Sequence, residues 1–472
     1  MCGPPSNEEV REKLGTAVPP DVTVESVQPV FSLRPQRIYQ VDLSDGTSLH
    51  LVASPYSKWR PLRSDQGMVL SETVAVRWIK ERAQQKFPCL QSPASSVSGR
   101  RAAGRGGLNE LVPTIFHHGQ DASGLREWYT FYAPANESPL ALLDPPLSPG
   151  ERYADSGIDF QVGRFCRQLA TLTSPTGRFG PVAATIPISY SIPGSGGASL
   201  HHQRQQQLGT GGLFSTVGTA TWSVAFHSML EGALRDGEDM AVVLSYATIR
   251  RHFRRLGHLL DEVTTPRLVV VDAGDESNIL IRDIGGRGEH SQGEEKMMKK
   301  TEKKKKKKQQ QRKFAGLRDW SSCVFGDPLL GSVFSNPELQ QQPPSSAFLR
   351  GFNDDDGGGG GGGSATAAGT PSASVGQSVI EDVQCAWVRL LLYQVFHAVK
   401  RIVAEFYRPR GDGGARELEA RRNLNRVLAK LAEVPDDVRT RRKKHARPSG
   451  EMSPAKRIRA LPATPDLTTL RN

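Results

Sequence analysis

Leu268-Val-Val-Val271-Asp272-Ala-Gly-Asp-Glu-Ser-Asn278, followed further on by Gly316-Leu-Arg-Asp-Trp320, is the stretch on which the reading of this 472-residue chain turns. Arg267 to Val271 and Ile279 to Arg282 are short β-branched runs that read as strands flanking a polar loop, and Phe314 to Leu317 reads as another strand running up to Asp319. Taken alone, the loop is an ordinary Asp/Gly/Ser/Asn turn. Its companions change the reading. Phosphoryl transfer needs a carboxylate to orient and deprotonate an acceptor hydroxyl, and an amide with a second carboxylate to hold magnesium on the nucleotide phosphates. Asp272, Asn278 and Asp319 offer those three groups in order.

Downstream, Phe325-Gly-Asp-Pro-Leu329 places Asp327 as an N-cap with Pro328 at the first helical position. A loop running from Asp to Asn, a strand ending in Asp-Trp and then Gly-Asp-Pro together resemble the aminoglycoside phosphotransferase family in its divergent fungal form. The resemblance covers about Val30 to Leu431. It implies an α+β, two-lobed protein kinase-like fold, with a small N-terminal β-rich lobe and a larger helical C-terminal lobe. It further implies ATP and Mg2+ as cofactors, Asp272 as catalytic base, Asn278 and Asp319 as metal ligands, and Glu72 as the residue that orients the first lobe beside the nucleotide. The acceptor would be a small-molecule hydroxyl of open identity, since the family is itself similar to choline and protein-fructosamine kinases. The family spaces its loop Asp and Asn by four residues, whereas five separate Asp272 from Asn278 here. Either the loop bulges at Gly274, whose backbone freedom permits it, or a strict register puts Ala273 where the base belongs. Asp275 is a weaker substitute.

In the first lobe, Arg37 to Leu43, Ser44-Asp-Gly46 and Thr47 to Val52 read as a hairpin about an Asp-Gly turn. The resemblance makes this hairpin the cover of the nucleotide and implies a lysine at its end, where Val52 or Ala53 stands. A helix over Val69 to Glu81 carries Glu72, which lacks that lysine as partner. Lys58, Arg60 or Arg63 are the alternative cations for the phosphates. Leu111 to Phe116 and Glu127 to Ala133 read as the last strands of this lobe, with Ala133 to Glu137 as the hinge, and His117-His118 reads as part of a surface loop rather than a metal pair.

Helical spacing then recurs over Ile158 to Leu172, Leu244 to Leu260, Val383 to Phe406 and Glu417 to Leu431. Trp387, Phe406 and Leu418 fall on the apolar stripes of the last two. Arg250, Arg251, Arg254 and Arg255 form an exposed basic face on the second.

The formal net charge is +12, but its distribution argues against a folded nucleic-acid groove. Glu294 to Lys313 holds eleven Lys/Arg against three Glu and Arg439 to Arg459 nine against one, more than the whole net charge, so the remainder is mildly acidic. Nucleic-acid contact through Lys303 to Lys308 would be non-specific and salt-dependent. Five scattered cysteines point to a reducing compartment. No apolar run is long enough for a leader or a membrane span, so a soluble intracellular protein is expected.

The expected organisation is an N-terminal segment (1–27), a nucleotide-binding lobe (28–135), a helical lobe (136–435) with disordered inserts at about 193–212, 285–312 and 353–376, and a basic disordered tail (436–472). Ser95 to Gly107 is a further low-complexity stretch. Within the tail, Arg441-Arg-Lys-Lys444 and Lys456-Arg-Ile-Arg459 are arranged as a bipartite import signal, with an importin as partner and the nucleus, otherwise the cytoplasm, as destination. The missing lysine and the offset of Asp272 keep open an alternative: a catalytically weak or inactive pseudokinase-type nuclear scaffold.

Overall fold

In the computed structural model the described residues are 4–30, 34–55, 60–65, 68–86, 107–120, 127–133, 156–186, 218–275, 278–284, 311–335, 346–354, 379–409 and 413–436. The chain divides into Met1–Glu433 and Val434–Asn472. Almost all of the second unit, including both basic clusters of the import signal, lies outside the described residues, as do Lys58, the hinge beyond Ala133, nearly all of the expected inserts and the lysine run.

The first unit opens with helix α1 (Asn7–Leu14), closed at its start by a capping box in which Ser6 Oγ accepts from Glu9 N (3.2 Å) and Glu9 Oε2 accepts from Ser6 N (2.8 Å). Strands β1 (Val24–Pro29), β2 (Arg37–Leu43) and β3 (Ser48–Ala53) follow, then helix α2 (Met68–Lys86) and strands β4 (Thr114–Gln120) and β5 (Trp128–Ala133). They form an antiparallel sheet in the order β1-β2-β3-β5-β4. Alternation along the strands divides its two faces. Tyr39, Val41, Leu49, Leu51 and Phe131 pack with Val10 and Leu14 of α1, whereas Ile38, Val52, Trp128 and Tyr132 pack with Val69, Val76 and Ile79 of α2.

The larger part carries helix α3 (Ser156–Ala170), the short strand β6 (Gly180–Pro181), helices α4 (Trp222–Asp239) and α5 (Tyr246–Leu256), and strands β7 (Arg267–Val270), β8 (Ile279–Ile284), β9 (Gln311–Leu317) and β10 (Cys323–Gly326). Helices α6 (Ser346–Phe352), α7 (Ala386–Tyr407) and α8 (Gly413–Glu433) complete it. Strands β6-β10-β7 make one small sheet and β8-β9 a hairpin. This is the α+β arrangement that the sequence leads one to expect, an N-terminal antiparallel sheet followed by a larger, mainly helical part. The loops after β7 and β9 are brought together where α2 meets the helical part.

Several expectations are corrected. His117 and His118 lie on β4, not in a surface loop: His118 stacks on Trp128 (5.0 Å between ring centroids) and its Nδ1 lies 2.7 Å from Thr130 Oγ1. Burial, with His117 adding to it, holds the His118 imidazole down to about 3, so the ring is neutral packing material. Trp387 and Leu418 are half exposed rather than core. The basic face of α5 is partly committed, since Arg250 pairs with Glu231 (2.9 Å) and Glu238 (2.7 Å). No helix among the described residues is long and apolar enough to cross a membrane.

Candidate active site

After Arg267, strand β7 is apolar and buried on both faces, and its buried end delivers Asp272 at the edge of the core. A tight turn follows, with Ala273 N donating to Val270 O (3.1 Å), Asp275 N to Asp272 O (3.0 Å) and Asn278 N to Asp275 O (2.8 Å). Within it, Ala273 packs into the main apolar core, while the Asp272 side chain accepts from the Ser322 hydroxyl and faces the loop after β9. Of the two residues that the spacing left open, Asp272 therefore presents its side chain to that loop. Gly274 acts differently from the expectation. Its backbone is not left-handed; instead a Cβ there would meet Val333 Cγ2 at 2.0 Å, so glycine is needed for close approach.

Asn278 ties the Asp272 side chain to the Asp319 backbone. Its Nδ2 donates to Asp272 O (3.3 Å), Asp272 Oδ1 (3.4 Å) and Asp319 O (3.2 Å), and its Oδ1 accepts from Asp319 N (2.8 Å). Asp319 follows β9, where Gly316 has φ +130° and no room for a Cβ against Leu111 O. Its Oδ1 accepts from Ser321 N (2.7 Å). Glu72, on α2, reaches the same loop: Oε1 accepts from Trp320 N (3.3 Å). All four predicted site residues are buried and converge.

The residue that sequence reasoning missed is Arg34. It lies between β1 and β2, and its guanidinium is ion-paired to Asp272 through Nη1 and to Asp319 Oδ2 through Nε (3.1 Å), with Asp275 Oδ2 at 3.9 Å. Arg34 thus reaches the carboxylates from the connection between β1 and β2. Arg60 and Arg63 do not come here. Arg63 is held by Asp236 (2.6 Å) and Asp239 (2.8 Å) on α4, and Arg60 lies 3.5 Å from Asp239. Val52, on the sheet face packed against α2, occupies the position where the resemblance implied a lysine; Ala53 points to the α1 side.

Charge states follow from these contacts. Burial pushes the Asp272 carboxyl up, but Arg34, then Lys400 of α7 and the Ser322 hydroxyl, outweigh it and the net shift is downward. Asp319 moves up through burial, against Arg34 and with repulsion from Asp272. Glu72 moves well above the usual carboxylate range, through burial first and then Asp319. Burial works against the Arg34 charge, yet Asp272 and Asp319 more than restore it, so Arg34 remains a cation.

Magnesium is the metal that the resemblance implies. Asp319 Oδ2 is buried and, apart from its ion pair with Arg34, accepts no aligned hydrogen bond, and the amide oxygen of Asn278, which accepts from Asp319 N, adds a second oxygen to a sparse all-oxygen set. That set suits an ion bound through one or two protein groups plus phosphate oxygens. Among the described residues no three His, Cys, Asp or Glu side chains cluster as a self-sufficient metal cage.

Asp327 closes the region structurally. It caps the turn Pro328–Leu330 by accepting from Leu329 N (3.0 Å), and its other oxygen accepts from Arg389 Nε and Tyr393 Oη of α7, both at 2.8 Å.

No protein-family model matches the chain, and no curated protein does. Among solved structures it is similar to a protein assigned as a fructosamine-3-kinase from Thermobifida fusca YX-ER1, at 12% identity and a TM-score of 0.41 over 89% of this chain and 98% of that one. It is also similar to the GDP complexes of aminoglycoside 2′-phosphotransferase-IIIa. The wild type matches at 11% identity and a TM-score of 0.38 over 90% and 99% of the two chains. A single-substitution variant matches at 11% and 0.37 over 91% and 99%. At such values the functional reading rests on this chain's own residues.

Proposed function

We propose that this protein is an ATP-dependent, magnesium-requiring phosphotransferase acting on the hydroxyl group of a small molecule. The observation that carries the reading is the single hydrogen-bonded unit formed by Asp272, Asn278 and Asp319 beneath the sheet, with Glu72 fastened to the residue after Asp319. Asp272, kept ionised by Arg34 and held by Ser322 and Asn278, accepts the hydrogen bond of the acceptor hydroxyl and takes its proton. The acceptor oxygen forms a bond to the γ-phosphorus as the bond to the β-phosphate bridging oxygen breaks, leaving ADP. Asp319 Oδ2 and Asn278 would hold magnesium, which would neutralise charge on the phosphates. Arg34 supplies the cation that Val52 cannot. When nucleotide enters, the guanidinium exchanges carboxylate partners for phosphate oxygens, and a planar fork suits either.

A second reading, a nucleotide-binding scaffold with little turnover, is favoured by one specific observation: in this state Arg34 bridges the base and the metal carboxylate. Calorimetric titration of the full chain with ATP, with and without magnesium, beside Asp319→Ala, tests the proposal. Magnesium-dependent binding that Asp319→Ala abolishes is expected; nucleotide binding indifferent to both would sink the enzyme reading. ATP consumption across a panel of hydroxylated metabolites then separates enzyme from scaffold.

A further inference from the structure

Beside the carboxylates lies a cavity of ≈ 140 Å³, walled by Met68 of α2, Met229 of α4, and Phe396 and Val403 of α7, with Arg34 and Lys400 also on its wall. Its volume is close to that of an apolar cavity that takes one benzene ring. The polar groups on its rim are mostly spent. Arg63 and Asp236 pair with each other (2.6 Å), Asp65 pairs with Arg408, and Arg34 is committed to Asp272 and Asp319. Lys400 differs. Among the described residues it makes no hydrogen bond or ion pair, although it lies in the field of Asp272, Asp275 and Asp319, which Arg34 opposes.

We infer that this cavity takes a small, largely apolar hydroxy acid carrying one negative charge, its anionic group paired with Lys400 and its hydroxyl at the same end, toward Asp272. Placement of the hydroxyl rests on the phosphotransfer reading; the preference for an apolar monoanion does not. Lys400 is half-buried and has no carboxylate within ion-pair distance among the described residues, so an entering carboxylate or similar anion supplies its counter-ion beside apolar walls that screen the pair less than open water does. Burial already lowers the proton affinity of Lys400. Polycationic acceptors are disfavoured, because both rim carboxylates, Asp65 and Asp236, are already tied to arginines. Apolar walls supply affinity but little orientation, so the charged end sets which hydroxyl faces the base.

Mandelate has this make-up: a phenyl ring, with carboxylate and hydroxyl on one carbon. The test titrates the full chain, by calorimetry or ligand-observed NMR, with mandelate, with uncharged mandelamide and with cationic 2-amino-1-phenylethanol. Mandelate is expected to bind roughly tenfold or more tighter than either, the worth of one charge-assisted contact. Lys400→Gln is expected to erase the gap between mandelate and mandelamide while leaving mandelamide affinity unchanged. Equal affinities in the wild-type protein, tighter binding of the amine, or no binding of any of the three at millimolar concentration overturns the inference without use of a variant. Should Lys400→Gln fold poorly by circular dichroism, Lys400→Arg must retain the preference. The outcome is independent of the ATP titration: a mandelate preference without nucleotide binding refutes phosphotransfer alone, and magnesium-dependent ATP binding without the preference refutes this inference alone.

Discussion

Arg34 Nε lies 3.1 Å from Asp319 Oδ2, so a residue of the sheet's first connection is anchored in the loop that follows β9 and leads into β10. The same guanidinium pairs with Asp272 and is the strongest influence holding that carboxylate down against burial. Arg34→Ala therefore removes both a phosphate-facing cation and the support of the base. Loss of one charge-assisted contact is expected to weaken ATP·Mg binding by roughly ten- to a hundredfold. With Arg34 gone, Asp272 protonates at higher pH, so the acid limb of a kcat/KM profile moves upward. Arg34→Lys should recover part of both effects. An acid limb that stays in place in Arg34→Ala would show that Asp272 is not the titrating base.

Glu72 makes the opposite prediction for stability. Burial and then Asp319 raise its carboxyl well above the ordinary value near 4.5, so the folded chain binds the proton more tightly than the unfolded chain. Stability then falls as pH rises from that ordinary value toward the raised one, because ionisation is favoured only in the unfolded state. Glu72→Gln keeps an oxygen to accept from Trp320 N and removes the ionisation. The variant should melt at a higher temperature than the wild type at pH 8, with the difference closing near pH 4. Identical melting curves at both pH values would mean that Glu72 is not carried neutral in the fold.

Gly274 is tight against Val333, with Cγ2 at 2.0 Å and the backbone N at 3.0 Å from a built Cβ. Gly274→Ala forces the Asp272 turn and the segment after Pro328 apart, and overpacking of this kind costs about 1–3 kcal/mol. Val333→Ala frees the methyl contact but not the backbone one. Urea unfolding of both single variants and the double should show the two substitutions to be less costly together than the sum of their separate effects. Strict additivity would place the strain elsewhere.

How much of this was legible follows from where each signal resides. The Asp272 loop, Asn278, Asp319 and Asp327 were readable because each adjoins a short apolar run with turn chemistry, all local in sequence. Arg34 was not. The strand before it, β1, lies at the sheet edge, buries only Val24 and ends in Pro29, so it lacks the alternating apolar pattern that marks β2 and β3. The Ser6–Glu9 capping box and the spacing of Trp222, Ala225, Phe226, Leu230 and Leu234 were present in the sequence and would have announced α1 and α4. Trp387 and Leu418 show the converse failure. Helical spacing identifies a face, but only the partners of α7 and α8 decide how far along each helix that face is covered.

Arg389 and Asp327 test whether the Gly-Asp-Pro segment is a structural clamp. Both are fully buried, with Arg389 Nε to Asp327 Oδ2 at 2.8 Å, and Tyr393 Oη donates to the same oxygen while accepting from Trp222 Nε1 (2.7 Å). Arg389 also donates to the carbonyl of Asp382 (3.0 Å), so one guanidinium joins the turn after β10 to the segment before α7, while Tyr393 brings in α4 through Trp222. Arg389→Ala leaves Asp327 as a buried anion without its cation, and breaking such a pair costs about 3–5 kcal/mol. The double variant Arg389→Met with Asp327→Asn removes both charges and should lose much less. Because the clamp lies outside the Asp272–Asp319 unit, the double variant should keep magnesium-dependent ATP affinity within a few-fold of wild type. Loss of nucleotide binding in a double variant that still unfolds cooperatively would instead make Asp327 part of the binding machinery.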